Sequence, residues 1–126
     1  MNEDALHNTV AQYLRLALPN DALFHHSPNG MGRIGWRSKM KLAKFGTMTG
    51  WPDVEIIYQG RTYFIELKAP GVQEGSRVKG KGYLNPDQRR CHDRLRGCGC
   101  PVAVCRSLEE VQETLWGWQI IEKRAA

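Results

Sequence analysis

Gly50-Trp51-Pro52-Asp53-Val54-Glu55-Ile56-Ile57-Tyr58-Gln59-Gly60-Arg61-Thr62-Tyr63-Phe64-Ile65-Glu66-Leu67-Lys68 reads as a β-hairpin. Val54, Ile56 and Tyr58 alternate with Asp53, Glu55 and Ile57, and Tyr63, Ile65 and Leu67 alternate with Phe64, Glu66 and Lys68. Such alternation in short runs rich in β-branched and aromatic residues is the strand pattern. Gln59-Gly60 supplies a two-residue turn, where glycine takes positive φ without strain. The turn sets the register: Tyr58 faces Arg61, Ile56 faces Tyr63, Val54 faces Ile65 and Asp53 faces Glu66. Directly opposed residues have Cβ atoms about 4.5–5.5 Å apart, and like charges there destabilise a sheet. Lys68 projects from the same face as Glu66. A divalent cation held by both carboxylates explains the cluster. Hard oxygen ligands suit Mg²⁺ or Mn²⁺ and not zinc.

The chain has 126 residues, a length that suits one domain spanning 1–126. No apolar run is long enough to cross a membrane and no signal peptide opens the chain, so an intracellular protein with no membrane partner is expected. Lys and Arg exceed Asp and Glu by 18 − 13 = 5. The distribution says more than the sum. Ala22 to Pro52 holds no acid, yet carries Arg33, Arg37, Lys39, Lys41 and Lys44. A second basic zone runs through Arg77, Lys79, Lys81, Arg89, Arg90, Arg94 and Arg96. Two basic zones around an acidic cluster suit a polyanion gripped by its phosphates. A basic surface serving solubility alone is the competing reading. Cys91, Cys98, Cys100 and Cys105 lack the paired spacing of a zinc knuckle, so buried free thiols are expected, with a zinc role for Cys91 and His92 left open.

Glu3 to Leu18 predicts a helix with Leu6, Val10, Leu14 and Ala17 on one stripe. Glu3 lies at the head of that stripe, either solvated in the first turn or aimed inward. Ala22-Leu23-Phe24-His25-His26 predicts a short strand. Its alternation sends the two histidines to opposite faces, against a shared soft-metal site. Ser27-Pro28-Asn29-Gly30 has turn chemistry. Ser38 to Phe45 predicts a short helix with Met40, Leu42 and Phe45 as its apolar contacts and Gly46 as its stop. Ala69 to Tyr83 predicts a loop. Asn85-Pro86-Asp87-Gln88 is a helix start with capping-box spacing, and Gln88, Cys91, His92 and Leu95 share one face. Pro101 to Cys105 predicts a buried strand, and Ser107 caps a last helix. Trp116 and Trp118 fit either the core or a dimer interface. Glu55 is read as a solvated strand residue or an extra acid near the metal.

Pro52-Asp53 followed by Glu66-Leu67-Lys68 resembles the PD-(D/E)xK nuclease signature. Gly50-Trp51-Pro52-Asp53 and Phe64-Ile65-Glu66-Leu67-Lys68-Ala69-Pro70-Gly71 resemble more narrowly the virus-type replication-repair nuclease (VRR-NUC) domain. Four further segments are similar to that family in the expected order. They are Glu3-x-x-Leu6-x-x-x-Val10-x-x-Tyr13-Leu14, His26-Ser27-Pro28-Asn29-Gly30, Asn85-Pro86-Asp87-Gln88-Arg89, and Gly99 through Val111.

The resemblance implies an α/β, restriction-endonuclease-like fold with a central mixed sheet flanked by helices. It implies Mg²⁺ or Mn²⁺ held by Asp53, Glu66, the Leu67 carbonyl and Glu3, with no nucleotide cofactor. Lys68 would orient or deprotonate the attacking water, and Gln88 would point into the site unless it only caps its helix. His26 and Asn29 would touch substrate, unless the segment is a plain turn. Arg33, Arg37, Lys39, Lys41, Lys44, Arg77, Lys79 and Lys81 would meet phosphates. The implied activity is DNA hydrolysis leaving 5′-phosphate and 3′-hydroxyl ends. Small stand-alone, phage-like members imply a homodimer cutting branched DNA such as a Holliday junction, in a bacterial host's cytoplasm. A flap- or end-selective repair nuclease, an inactive branched-DNA-binding module and a base-specific restriction-type enzyme are the alternatives.

Overall fold

The structure is a computed structural model that describes residues 2–27, 35–69 and 83–123. Asn29, Arg33, Arg77, Lys79, Lys81 and most of the expected 69–83 loop lie outside the described residues. The elements follow the order α1 (Glu3–Ala17), β1 (Ala22–His26), α2 (Trp36–Lys44), β2 (Val54–Tyr58), β3 (Arg61–Leu67), α3 (Pro86–Gly97), β4 (Val102–Cys105) and α4 (Leu108–Gly117). One four-stranded sheet runs β1-β2-β3-β4. The first two pairings are antiparallel and β3–β4 is parallel, so the fold is α/β with a mixed sheet.

The hairpin register is the one its turn dictates: Tyr58 pairs with Arg61, Ile56 with Tyr63 and Val54 with Ile65. Gln59 and Gly60 both take positive φ at the turn (50° and 76°), as a primed hairpin turn requires. Burial on β3 is two-sided. Tyr63, Ile65 and Leu67 point to one face and Phe64 and Glu66 to the other, and all are buried.

The first face is closed by α1 and α4. Leu6, Val10 and Leu14 of α1 meet Val54, Ile56, Ile65 and Leu67 of the sheet and Val111 and Leu115 of α4. Asn2 caps α1, accepting from the Ala5 N–H at 2.7 Å, and Ser107 caps α4, accepting from the Glu110 N–H at 3.1 Å. Trp118 resolves into the core, its ring 5.1 Å from that of Tyr63. The second face carries a smaller apolar cluster, Phe64 with Cys91 and Leu95 of α3, edged by Met48, Trp51, Cys100 and Val102.

Two expectations about packing change. Met40, Leu42 and Phe45 are exposed and α2 buries no side chain, so the helix forms where the pattern puts it but without the expected core contacts. Apolar residues at helical spacing mark a face without saying that anything covers it. Val102, Ala103 and Val104 are only partly buried, because β4 is the edge strand of the sheet and not a central one. Gly46 does end the α2 turn, at φ 102°.

Candidate active site

Asp53 sits one residue before β2, on a segment fixed from several sides. Gly50 has φ 85°, and a Cβ there would stand 2.5 Å from the Asp87 carbonyl oxygen, so only glycine lets this backbone press on the first turn of α3. Pro52 is fully buried. The Trp51 ring meets Phe64 edge-on at 5.3 Å, and its indole N–H donates to the Glu55 carboxylate. Glu55 is thereby committed to Trp51, rather than solvated or turned to the metal cluster. The Asp53 carbonyl accepts from the Ser27 N–H at 2.7 Å. Its carboxylate oxygen Oδ2 accepts from the Leu67 N–H at 2.8 Å. The aspartate thus ties the ends of β1, β2 and β3 together.

Beside it, Glu66 and Lys68 are charged side chains buried to 2 % and 8 % exposure. Asp53 and Glu66 lie within hydrogen-bonding reach of one another. Burial, then the hydrogen bond and charge of Glu66, push the Asp53 carboxyl up to about 7. Burial also raises Glu66, while Lys68 pulls it down and Glu3 pushes it further up. Two carboxylates this close cannot both ionise cheaply without a cation. Without one, they share a proton.

Glu66 has a second partner. His92 is fully buried, and its Nε2 lies 3.2 Å from Glu66 Oε1. Burial, with Arg96 and Lys68, lowers the His92 pKa, so the neutral ring is favoured, paired with the carboxyl group through Nε2. Its Nδ1 is the one buried side-chain polar atom without a partner among the described residues. The bond fixes the orientation of Glu66 in the way that outer partners orient metal-binding carboxylates.

The N-terminal end of α1 supplies Glu3 and His7. His7 Nε2 stands 3.9 Å from Glu3 Oε1 and 3.9 Å from Asp53 Oδ2. Its Nδ1 is 2.9 Å from His26 Nε2. His7, His26 and Asp53 converge closely enough to offer ligand atoms to one ion. His25 is exposed on the other face of β1, as alternation requires.

Asp53, Glu66, Lys68, Glu3 and His26 are therefore brought to one end of the sheet, with the Leu67 peptide between them. Gln88 faces the same side of α3 as His92, but its Oε1 accepts from the Asn85 N–H at 3.0 Å in a complete capping box. Arg37, Lys39, Lys41 and Lys44 are exposed on α2. The four cysteines are free, and His92 turns to Glu66 rather than to a thiol. His7 escapes sequence reasoning, and so does the pairing of His92 with Glu66, though the sequence places His92 on the inner face of α3. For His7 a signal exists: it follows Glu3 at the i,i+4 spacing that puts two side chains on one helix face.

The donor set fits a hard divalent cation. Asp53 and Glu66 offer carboxylate oxygens, which Mg²⁺ and Mn²⁺ prefer, with Glu3 near them, and His7 and His26 add ring nitrogens beside Asp53.

No curated protein sequence matches the chain. Among solved structures, one named "VRR_NUC domain protein" superposes with a TM-score of 0.69 at 21 % identity, over 97 % of this chain and 89 % of its own. Another, named "VRR_NUC domain", superposes with a TM-score of 0.53 at 20 % identity, over 90 % of this chain and 92 % of its own. At such identities the likeness speaks for the fold. The family profile adds the sequence. The VRR-NUC domain profile matches residues 7–109, a span holding the hairpin, α3 and β4, and the chain belongs to the VRR-NUC domain family, nucleases of the PD-(D/E)xK type.

Proposed function

We propose that the chain is a divalent-metal-dependent DNA endonuclease acting at the Asp53–Glu66–Lys68 cluster, selective for branched DNA and working as a homodimer. The observation that carries the proposal is the packing of two carboxylates against each other with a buried lysine beside them. A fold gains nothing from that arrangement unless a cation and a phosphate complete it. Asp53, Glu66 and the Leu67 carbonyl would hold the ion, with Glu3 at the rim. When bound, it supplies polarisation of the scissile phosphate and acidification of water.

The chain's own groups do the rest. His92 keeps one Glu66 oxygen engaged and so presents the other. Lys68, with little solvent around it, orients the attacking water and balances charge on the phosphate. The Leu67 N–H holds the Asp53 carboxylate in place. Basic side chains on α2 position the polyanion without reading its bases. A homodimer would set two such sites on one branched substrate and cut two strands.

The test is a labelled panel of four-way junction, flap, nicked duplex, linear duplex and single strand, incubated with Mg²⁺ or Mn²⁺. Preferential junction cutting with 5′-phosphate ends is expected. Preferential flap cutting would replace the junction reading, and tight junction binding without incision in either metal would leave only a binding module.

A further inference from the structure

The helix α2 is built unlike the rest of the molecule. It spans nine residues, below the length of about 12–15 at which an isolated helix holds in water. Yet none of its residues is buried. At about 100° per residue, Trp36, Met40 and Ala43 form one stripe. Lys39 lies along one side of it and Arg37 and Lys44 along the other. Trp36 leads the stripe at 72 % exposure. Leu42 and Phe45 face the opposite way, where the Leu42 carbonyl accepts from the Thr47 N–H at 3.0 Å and the Lys41 ammonium sits over the Phe45 ring at 5.8 Å.

A large apolar side chain rimmed on both sides by cations needs a partner that is flat and apolar in the middle and anionic at the edges. We infer that Trp36 is a stacking platform for an unpaired base, with Lys39, Arg37 and Lys44 holding the flanking phosphates. This deepens the nuclease reading and rests on it. A second copy docked α2 on α2 would set four cations against four, which disfavours a self-contact. An anionic membrane matches the charge, but the position of α2 argues for nucleic acid. Immediately beyond the helix, Met48 packs its sulfur 3.6 Å from that of Cys91 and Gly50 presses on α3. The helix is thereby tethered to the segment that carries Asp53. Stacking on an exposed aromatic needs bases freed from their pairs, so the platform selects gaps, flaps and junction centres over intact duplex.

The experiment measures binding by fluorescence anisotropy in Ca²⁺ to three labelled probes: a blunt duplex, a gapped duplex and a single strand. Phosphatidylserine vesicles serve as a fourth. Trp36→Ala is expected to weaken the gapped and single-stranded probes about tenfold while leaving the blunt duplex within about twofold. Trp36→Phe should restore most of the loss. Lys39→Gln with Lys44→Gln should weaken every DNA alike and flatten the salt dependence. Equal weakening of all DNAs by Trp36→Ala, or none, overturns the inference. So does vesicle binding that depends on Trp36 while DNA binding does not. Cleavage by the wild type in Mg²⁺ is scored separately. Trp36-dependent gap binding without any cleavage sinks the nuclease reading alone, and cleavage with Trp36-independent binding sinks this inference alone.

Discussion

The two faces of the sheet are covered by helices for different ends. On one, α1 and α4 close over hydrocarbon: Leu6, Val10 and Leu14 against Ile56 and Ile65, with Val111 and Leu115 behind. On the other, α3 brings Cys91 and Leu95 to Phe64, and then spends its next inward position on His92, which meets Glu66. The first face gains its stability from area removed from water. The second buries Glu66, Lys68 and His92, groups that cost stability when buried and partly paired. The difference teaches that one face holds the fold and the other is held by it.

Substitutions can sharpen or break that contrast. The largest effects are expected at the charged face. Lys68→Ala or Glu66→Gln should lower DNA cleavage by about 10²–10⁴-fold, the usual worth of a positioned proton-handling group. Lys68→Ala should also lower the melting temperature of the metal-free protein, because it leaves the buried Glu66 without its cation. Single-turnover cleavage and calorimetry read both quantities. At the hydrocarbon face the balance reverses. Leu115→Ala should cost about 2–5 kcal/mol in a denaturant melt, with Mn²⁺ affinity of the folded fraction unchanged. Comparable loss of metal affinity would mean that the two faces are not separable.

Next in size is Gly50→Ala. A non-glycine residue at φ 85° carries about 1–3 kcal/mol of strain, and its Cβ strikes the α3 backbone. Stability and cleavage should fall together, because this contact joins the Asp53 segment to the helix that carries His92.

A further effect is in pH. Asp53 titrates near 7 in the folded metal-free protein against an ordinary value of 3.8. Between those values the folded form holds a proton that the unfolded form has lost. Stability of the metal-free protein should therefore fall as pH rises from about 4 to about 7. Asp53→Asn should flatten the fall, and saturating Mg²⁺ should reverse it. Melting temperatures between pH 4 and pH 8 in chelator give the slope, and an unchanged slope in Asp53→Asn would assign it elsewhere.

Much of this is legible in the sequence. The hairpin register followed from alternation and a Gln-Gly turn, and it exposed the Asp53–Glu66 conflict. The structure shifts Asp53 off the strand, to the residue before β2, but keeps the two carboxylates together. What escaped was what lies between elements. The His92 bond to Glu66 depends on α3 crossing the sheet at one height, and the hydrophobic pattern of α3 is the same at any height. Gly50 gives no local sign that α3 will press on it. The exposure of α2 is hidden for the same reason, since a pattern fixes a face and not its neighbour.

The most direct test is cleavage of a labelled four-way junction by chelator-stripped protein titrated with Mg²⁺, beside Lys68→Ala. Incision that appears only with the ion and is lost in Lys68→Ala is the predicted result. Incision that persists in chelator, or that Lys68→Ala retains in full, would contradict the assignment of the chemistry to the Asp53–Glu66–Lys68 cluster.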